Sequence, residues 1–339
     1  MLRFTGDINL TDWDFNVGTG IGSRIAQGFD PFLYLNRTGE DCWIGNFEGV
    51  ASDTSCRIGH ASKVFRVSPR EIFRIRHFDV YGFANNHAMQ HGKDAYWNTV
   101  KALESLGCKV FGTSKIKTVN IEHQGRLVTM SGVCIRIDEF TNEPGYWYNP
   151  EYIELEEELH KQPEDAFKVL FIHWGNEYIN RPSSSQKKFA HYLIDIGFDL
   201  IIGMHPHVLQ GYEEYRGKRI YYSLGNFVFD MPSDACRYGA IVSVDLGGLK
   251  PVFKEEYVWI DDTCSPRIVD ENHVPECFHF SFLNEALKKE ENSEQYHREI
   301  RNEYKKYRKI NRKNILKQMC LHPRSAASLI KDFIKRRIV

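Results

Sequence analysis

The run DLIIGM at residues 199–204 has the unbroken apolar character of a strand covered on both faces, and it breaks at once into His205-Pro206-His207. A strand of that kind belongs inside a layered sheet, so the two histidines fall where the sheet gives way to loop. In an extended backbone residues two apart point the same way, and both imidazoles are expected to face one cavity, with Pro206 fixing φ between them. Imidazole nitrogen is a favoured ligand of Zn, Fe, Ni and Cu, alone or beside carboxylates. A solitary HxH pair is as readily an ordinary loop feature, so its reading depends on what other strands deliver.

They deliver the same kind of residue. Residues 2–10 read as a strand passing through Gly6-Asp7, and 42–47 as a second that brings Asn46 and Glu48. Residues 79–84 run into Asn85-Asn86-His87, and 167–172 end on His173-Trp174-Gly175. Between them the sequence predicts helices: from the Ser68-Pro69-Arg70-Glu71 capping box to about His77, over 94–106 up to Gly107, over 151–161, and over 183–196. Further strands are expected at 110–112, 118–123 and 126–135, and as three runs between 219 and about 260. Residues 11–30, rich in Gly, Asp and Asn, are expected to be loop. Residues 281–318 are charged and helix-prone, with a last short helix after Pro323. The division implied is a domain over 1–262 and a charged helical extension over 263–339.

At 339 residues and 42% apolar, the chain can bury a sizeable core. Its net charge of −1 hides an asymmetry: residues 305–339 carry twelve Lys or Arg against Asp332 alone, +11, which leaves −12 on residues 1–304. Interleaved Tyr, Ile and Leu make that tail a candidate amphipathic helix for an anionic membrane surface; no nucleic-acid partner is expected. Eight cysteines without a CxxC pair exclude a zinc ribbon and point to reduced thiols. No signal peptide and no run of about 18 apolar residues is present, so a cytoplasmic location is expected, possible contact with the inner membrane face being left to the tail.

Asp7, Glu48, Asn86-His87, His173 and His205-x-His207 thus gather hard oxygen and borderline nitrogen donors at five strand ends. Two-metal hydrolysis needs this set: paired divalent ions, here Mn, Fe or Zn, clamp an ester's oxygens and supply the nucleophile. Glu48 is the expected bridge between them. His87, directly after Asn86, is placed to protonate a leaving alkoxide. Glu177, Asn226 and His91 are candidates for catalysis, substrate contact or support of the ligands, and Trp174 and Tyr222 for stacking on a sugar.

GDINL, NFEG, FANNHAMQHG, HWGNEY, GMHPHVLQ and YSLGNFVFD resemble, in order and spacing, the motifs of the CapA family of capsule and poly-γ-glutamate synthesis proteins. That family is similar to the calcineurin-like metallophosphoesterases. The resemblance implies an α/β fold of two mixed β-sheets packed as a sandwich and flanked by helices, with a C-terminal helical extension, and a two-metal site. Carried over, it assigns Asp7, Asn9, Glu48, Asn86, His173, His205 and His207 as metal ligands, with Asn9 where the phosphoesterases have His and Glu48 where they have Asp. The function implied is hydrolysis of a phosphorylated or anionic glycan in capsule or cell-surface polysaccharide synthesis. Two alternatives are a poly-γ-glutamate component acting on amide bonds and a non-catalytic polymer-binding module.

Overall fold

The computed structural model describes residues 1–289 and 292–321. Its strands are β1 (Leu2–Ile8), β2 (Cys42–Phe47), β3 (Val50–Ala51), β4 (Arg66–Val67), β5 (Val80–Gly82), β6 (Lys109–Phe111), β7 (Thr118–His123), β8 (Arg126–Cys134), β9 (Phe167–His173), β10 (Leu200–Met204), β11 (Tyr212–Tyr215), β12 (Lys218–Tyr221), β13 (Asn226–Val228), β14 (Tyr238–Asp245), β15 (Val252–Ile260) and β16 (Pro266–Val269). One sheet runs β16-β15-β14-β1-β2-β5-β6, with β13 paired to the far half of β1, and the other runs β11-β12-β10-β9-β8-β7. Both are mixed: the inner strands are parallel and the outer hairpins antiparallel.

The apolar strands serve three layers by alternation. Leu2, Phe4, Ile44 and Val80 of the first sheet meet Val128, Met130, Val169, Phe171, Leu200 and Ile202 of the second. Their neighbours in sequence turn outward: Trp43, Phe47 and Tyr81 lie under α1 (Ile21–Ala26) and the helix Lys93–Ser105, while Leu170, Ile172 and Ile201 lie under Tyr152–His160 and Ser184–Ile196. The expected sandwich of two mixed sheets with flanking helices is therefore the observed architecture. In chain order α2 is Pro69–Ile72, α3 Lys93–Ser105, α4 Tyr152–His160 and α5 Ser184–Ile196. The Ser183 hydroxyl accepts from Gln186 N in a capping box, and Gly197 with φ 127° ends α5.

Three local expectations give way. α2 stops at Ile72 instead of about His77, because His77 and Phe78 leave the helix to pack against Phe32 and Trp43. α1 lies in the stretch expected to be loop; Ile21 and Ile25, one turn apart, are buried and outweigh the glycines beside them. The boundary expected after 262 falls inside the β15–β16 hairpin, where Ile260 pairs with Pro266. The segment 281–318, expected to be helix-prone, is helical as expected, in two pieces: α6 (Phe280–Leu287) and α7 (Ser293–Leu321). The short helix expected after Pro323 lies outside the described residues.

One glycine decides how the site is built. A Cβ on Gly6 would stand 2.1 Å from the Gly225 carbonyl oxygen, so only glycine lets β13 come against β1. That approach sets Asn226 and Asn46 on either side of Asp7, in register across three parallel strands.

Candidate metal centre

The C-terminal ends of β1, β2, β5, β9 and β10 open on one edge of the sandwich, where loops of an α/β sheet carry function. Two donor groups form there. Asp7, Glu48 and His173 hold ligand atoms within 4.8 Å of one another, and so do Glu177, His205 and His207. Glu48 stands between them: its Oε1 lies 3.7 Å from His207 Nε2, 3.9 Å from His87 Nε2 and 4.0 Å from His173 Nε2. Asn86 joins by its Oδ1, 2.8 Å from His173 Nε2, and His205 Nδ1 lies 3.1 Å from the same nitrogen.

The histidines of the HPH segment reach the cluster by a route other than an extended backbone. His205 has φ 94° and His207 φ 58°, left-handed conformations that cost about 1–3 kcal/mol each and persist only when their surroundings impose them. Part of that imposition is visible: His205 N–H donates to Asp7 Oδ2 at 3.0 Å, and Tyr178 N–H donates to the Pro206 carbonyl at 2.9 Å. The two rings end with centroids 5.8 Å apart, 50° between their planes.

Around the donors, amides set orientations. Asn226 Oδ1 lies 2.9 Å from His207 Nδ1, and since an amide oxygen only accepts, Nδ1 carries the proton and Nε2 turns a lone pair toward Glu48. Asn226 Nδ2 in turn donates to the Cys236 carbonyl at 3.0 Å. Asn46 Nδ2 donates to Asp7 Oδ1 at 2.7 Å and lies 3.4 Å from His173 Nδ1. The sequence delivered Asn46 without giving it a task; its place two residues before Glu48, on the same face of the strand exit, was the available signal. Gln90 Oε1 fixes His87 at Nδ1 from 3.0 Å, and Phe65 stacks on the His87 ring at 4.1 Å. Nothing in the motif reading pointed to Gln90.

Other candidates serve elsewhere. Asn9 Oδ1 accepts from Thr11 N at 2.8 Å and Thr11 Oγ1 at 2.6 Å, closing an Asx turn, so that oxygen is not the metal ligand expected of it. Trp174 and Tyr222 are fully buried, stacked on one another at 5.8 Å, and Trp174 Nε1–H donates to the Tyr222 carbonyl. They are core, not sugar platforms. His91 lies 2.8 Å from Ser55 Oγ and 2.7 Å from the Val64 carbonyl, tying down the loop that carries Phe65. Glu177, expected to contact substrate or support the ligands, stands instead within the His205–His207 group.

The residues fit divalent ions. Both Glu48 carboxylate oxygens and His205 Nε2 are buried without any hydrogen-bond partner, and a buried carboxylate without partners is stable only beside a cation or with a proton. Burial raises the Asp7 pKa to about 7, against the lowering pull of Asn46 and the His205 N–H. Burial, then the charges of Asp7 and Glu177, push Glu48 well above the carboxylate range. The imidazoles move the other way: burial holds His87 and His207 neutral down to about 4, and His173 and His205 lower than ordinary histidines.

This asymmetry gives a proton count. At pH 6.5 His87 and His207 are already free of their extra protons, Asp7, raised to about 7, still holds most of its own, and Glu48 is shifted in the same direction as Asp7. A divalent ion entering at that pH should release about one proton or more per chain, and apparent affinity should rise as pH climbs through 7. Calorimetric titration of Mn²⁺ into chelated protein, in buffers of different ionisation enthalpy, reads the number; an enthalpy independent of buffer would remove both carboxylates from the ligand set.

An α/β sandwich with ten histidine, carboxylate and amide side chains converging at its strand ends defines the class. Residues 2–231 match the family described as bacterial capsule synthesis protein PGA_cap, and the chain belongs to that family. It is 33% identical over 244 residues to capsule biosynthesis protein CapA of Bacillus anthracis, covering 66% of this chain and 57% of that one. It is 31% identical over 261 residues to PGA biosynthesis protein CapA of Bacillus subtilis, covering 72% and 67%. The matched stretch thus spans little more than half of the first relative. A solved 5'-nucleotidase from Candida albicans aligns with 94% of this chain and 58% of its own at 14% identity, with a TM-score of 0.45. No described helix is long and apolar enough to cross a membrane.

Proposed function

We propose that this protein is a two-metal hydrolase that cleaves a phosphoester of a phosphorylated or anionic glycan during capsule assembly. The observation that carries the reading is Glu48: both its oxygens are desolvated and unpartnered, with three imidazole nitrogens within 4.0 Å of Oε1. Two divalent ions held by Asp7, Glu48, Asn86 and His173 on one side and Glu177, His205 and His207 on the other would polarise the phosphoryl oxygens and supply the nucleophile.

The chain's own residues do the rest. Phe65 and Phe229 wall the centre against His87 and His207 and keep bulk water from the donors. His87 is the imidazole that reaches the surface, with 21% of its side chain exposed against 3% for His207. Gln90 holds its Nδ1–H, so Nε2 is the atom that gains a proton when an anionic substrate raises its pKa and then gives it to the leaving oxygen.

The relatives, named for capsule and PGA biosynthesis, favour a second reading, in which the same cluster serves an amide-bond step in poly-γ-glutamate synthesis. One screen addresses both. Metal analysis of purified protein should find about two equivalents of Mn, Fe or Zn, and aryl phosphoesters should be hydrolysed while γ-glutamyl amides are not. His87→Ala should cost about 10²- to 10⁴-fold on alkyl leaving groups and far less on nitrophenolate, which needs no proton. Metal below about a tenth of an equivalent, with no activation by added ions, sinks the hydrolase; equal loss on both leaving groups removes His87 as the acid.

A further inference from the structure

Beside the centre stands a cation to which neither the motifs nor the ligand set gives work. Arg136 follows β8 by two residues. Cys134 at the end of that strand pairs with His173, and Ile135 N–H donates to the His173 carbonyl at 3.1 Å, so Arg136 leaves the sheet at the same edge as the donors. Its Nε is buried and has no hydrogen-bond partner. Other arginines of the described chain are committed: Arg3 to Asp41 and Glu256, Arg37 to Asp79, Arg66 to the carbonyls of Ser52 and Ser62. Arg136 makes no ion pair among the described residues, although it is only partly exposed. Its charge reaches the cluster all the same: after burial and the neighbouring imidazoles it is a further influence lowering His173 and His205, and it opposes the burial that raises Glu177.

A desolvated guanidinium donor without an acceptor is costly, and the cost disappears when an oxyanion arrives. Guanidinium presents a planar fork that matches the oxygens of a phosphoryl group, and it keeps its charge at any working pH. Among the side chains of the cluster no other fixed cation does that work, since burial holds the imidazoles neutral. We propose that Arg136 is the substrate-binding residue of this centre, its guanidinium holding a non-bridging oxygen of the phosphoryl group presented to Asp7, Glu48 and the histidines. The proposal deepens the hydrolase reading and rests on it for the identity of the oxyanion. Arg57 lies over Phe140 at 4.8 Å, and Phe140 neighbours His87 at 6.4 Å, so the His87 side of the centre carries a second cation for the rest of an anionic chain.

Inorganic phosphate is the probe, titrated calorimetrically into the full-length protein with its metal content measured in the same sample. Arg136→Gln should weaken phosphate binding by about ten- to hundredfold, and Arg136→Lys, which keeps the charge and loses the fork, by less. Arg126→Gln is the charge-matched control: it lies at the opposite end of β8, where its Nη2 donates to the Gly248 carbonyl, and it should bind as wild type does. With a phosphoester substrate, Arg136→Gln should raise KM more than it lowers kcat, a split that a merely structural lesion would not produce. If Arg136→Gln fails to fold, Arg136→Lys carries the test, and unchanged phosphate affinity in it overturns the proposal. Wild-type affinity in Arg136→Gln, or equal loss in Arg126→Gln, overturns it too. A wild type that holds no metal and hydrolyses nothing, yet loses phosphate in Arg136→Gln, sinks the hydrolase reading and keeps the anion site.

Discussion

Glu48→Gln is expected to strip metal from the centre and lower hydrolysis by well over a hundredfold while leaving the metal-free fold intact. Outer partners of metal ligands alone are worth about 10- to 100-fold, and Glu48 stands between the two candidate donor groups, where it would be a ligand itself. The fold should tolerate the change for an electrostatic reason. Burial and the charges of Asp7 and Glu177 raise the Glu48 carboxyl well above the carboxylate range, so ionising it without metal is costly, and glutamine, neutral and of nearly the same shape, adds no such cost. Thermal melts in chelator should agree within about 2 °C, well under the shift that a lost core contact produces in a chain of this size. Elemental analysis gives the other half of the result. Full metal content would mean that Glu48 is not a ligand, and a melt many degrees lower would mean that it holds the fold.

The strand ends were legible because two signals coincided there. A run such as residues 199–204 announces burial by its composition, and the polar residue that follows has no solvent-facing reason to adjoin it. The same held for Asp7, Glu48, Asn86 and His173, which arrive from two different sheets yet lie within one cluster. Helix ends were legible where side-chain chemistry set them, as at Ser183 and Gly197. They were not legible where tertiary contacts set them: His77 and Phe78 abandon α2 for an aromatic cluster assembled from residues far along the chain.

Within the site, identity was easier to read than geometry. The HPH segment looked extended, but His205 and His207 are both left-handed, held there by Asp7 and the strand-end network. Asn9 looked like a ligand by position, and a hydroxyl two residues on had already claimed its oxygen. Such competition depends on a local turn that spacing does not reveal. Asn226, a candidate for catalysis, substrate contact or support of the ligands, places its Oδ1 against His207 Nδ1 and so fixes that tautomer.

Removing residues 305–339 is expected to damage the protein as well as to remove its basic charge. The tyrosines of α7 tie it to the body: Tyr296, Tyr304 and Tyr307 recur at helical spacing on one face, and Tyr296 and Tyr307 are buried. Tyr307 stacks on Tyr178 at 3.9 Å and lies beside Trp13, and Tyr304 meets Tyr178 edge-on at 5.7 Å. Tyr178 itself has φ 67°, directly after Glu177, so these contacts help hold a strained loop that carries a ligand candidate. Truncation after Tyr304 removes the Tyr307 stack, a loss of about 1.5–3 kcal/mol of burial, and should lower the melting temperature by about 3–10 °C and activity by about tenfold or more. Tyr307→Ala separates the causes, because it keeps every cation: it should reproduce both losses. The attraction of the twelve cations to anionic vesicles, about 1 kcal/mol for each that engages, should survive Tyr307→Ala, vanish in the truncation and fade in 1 M salt. Wild-type melting and activity in both variants would show that α7 is a removable cover, and failure of the full chain to bind such vesicles at low salt would leave its charge as the solvated face of a structural helix.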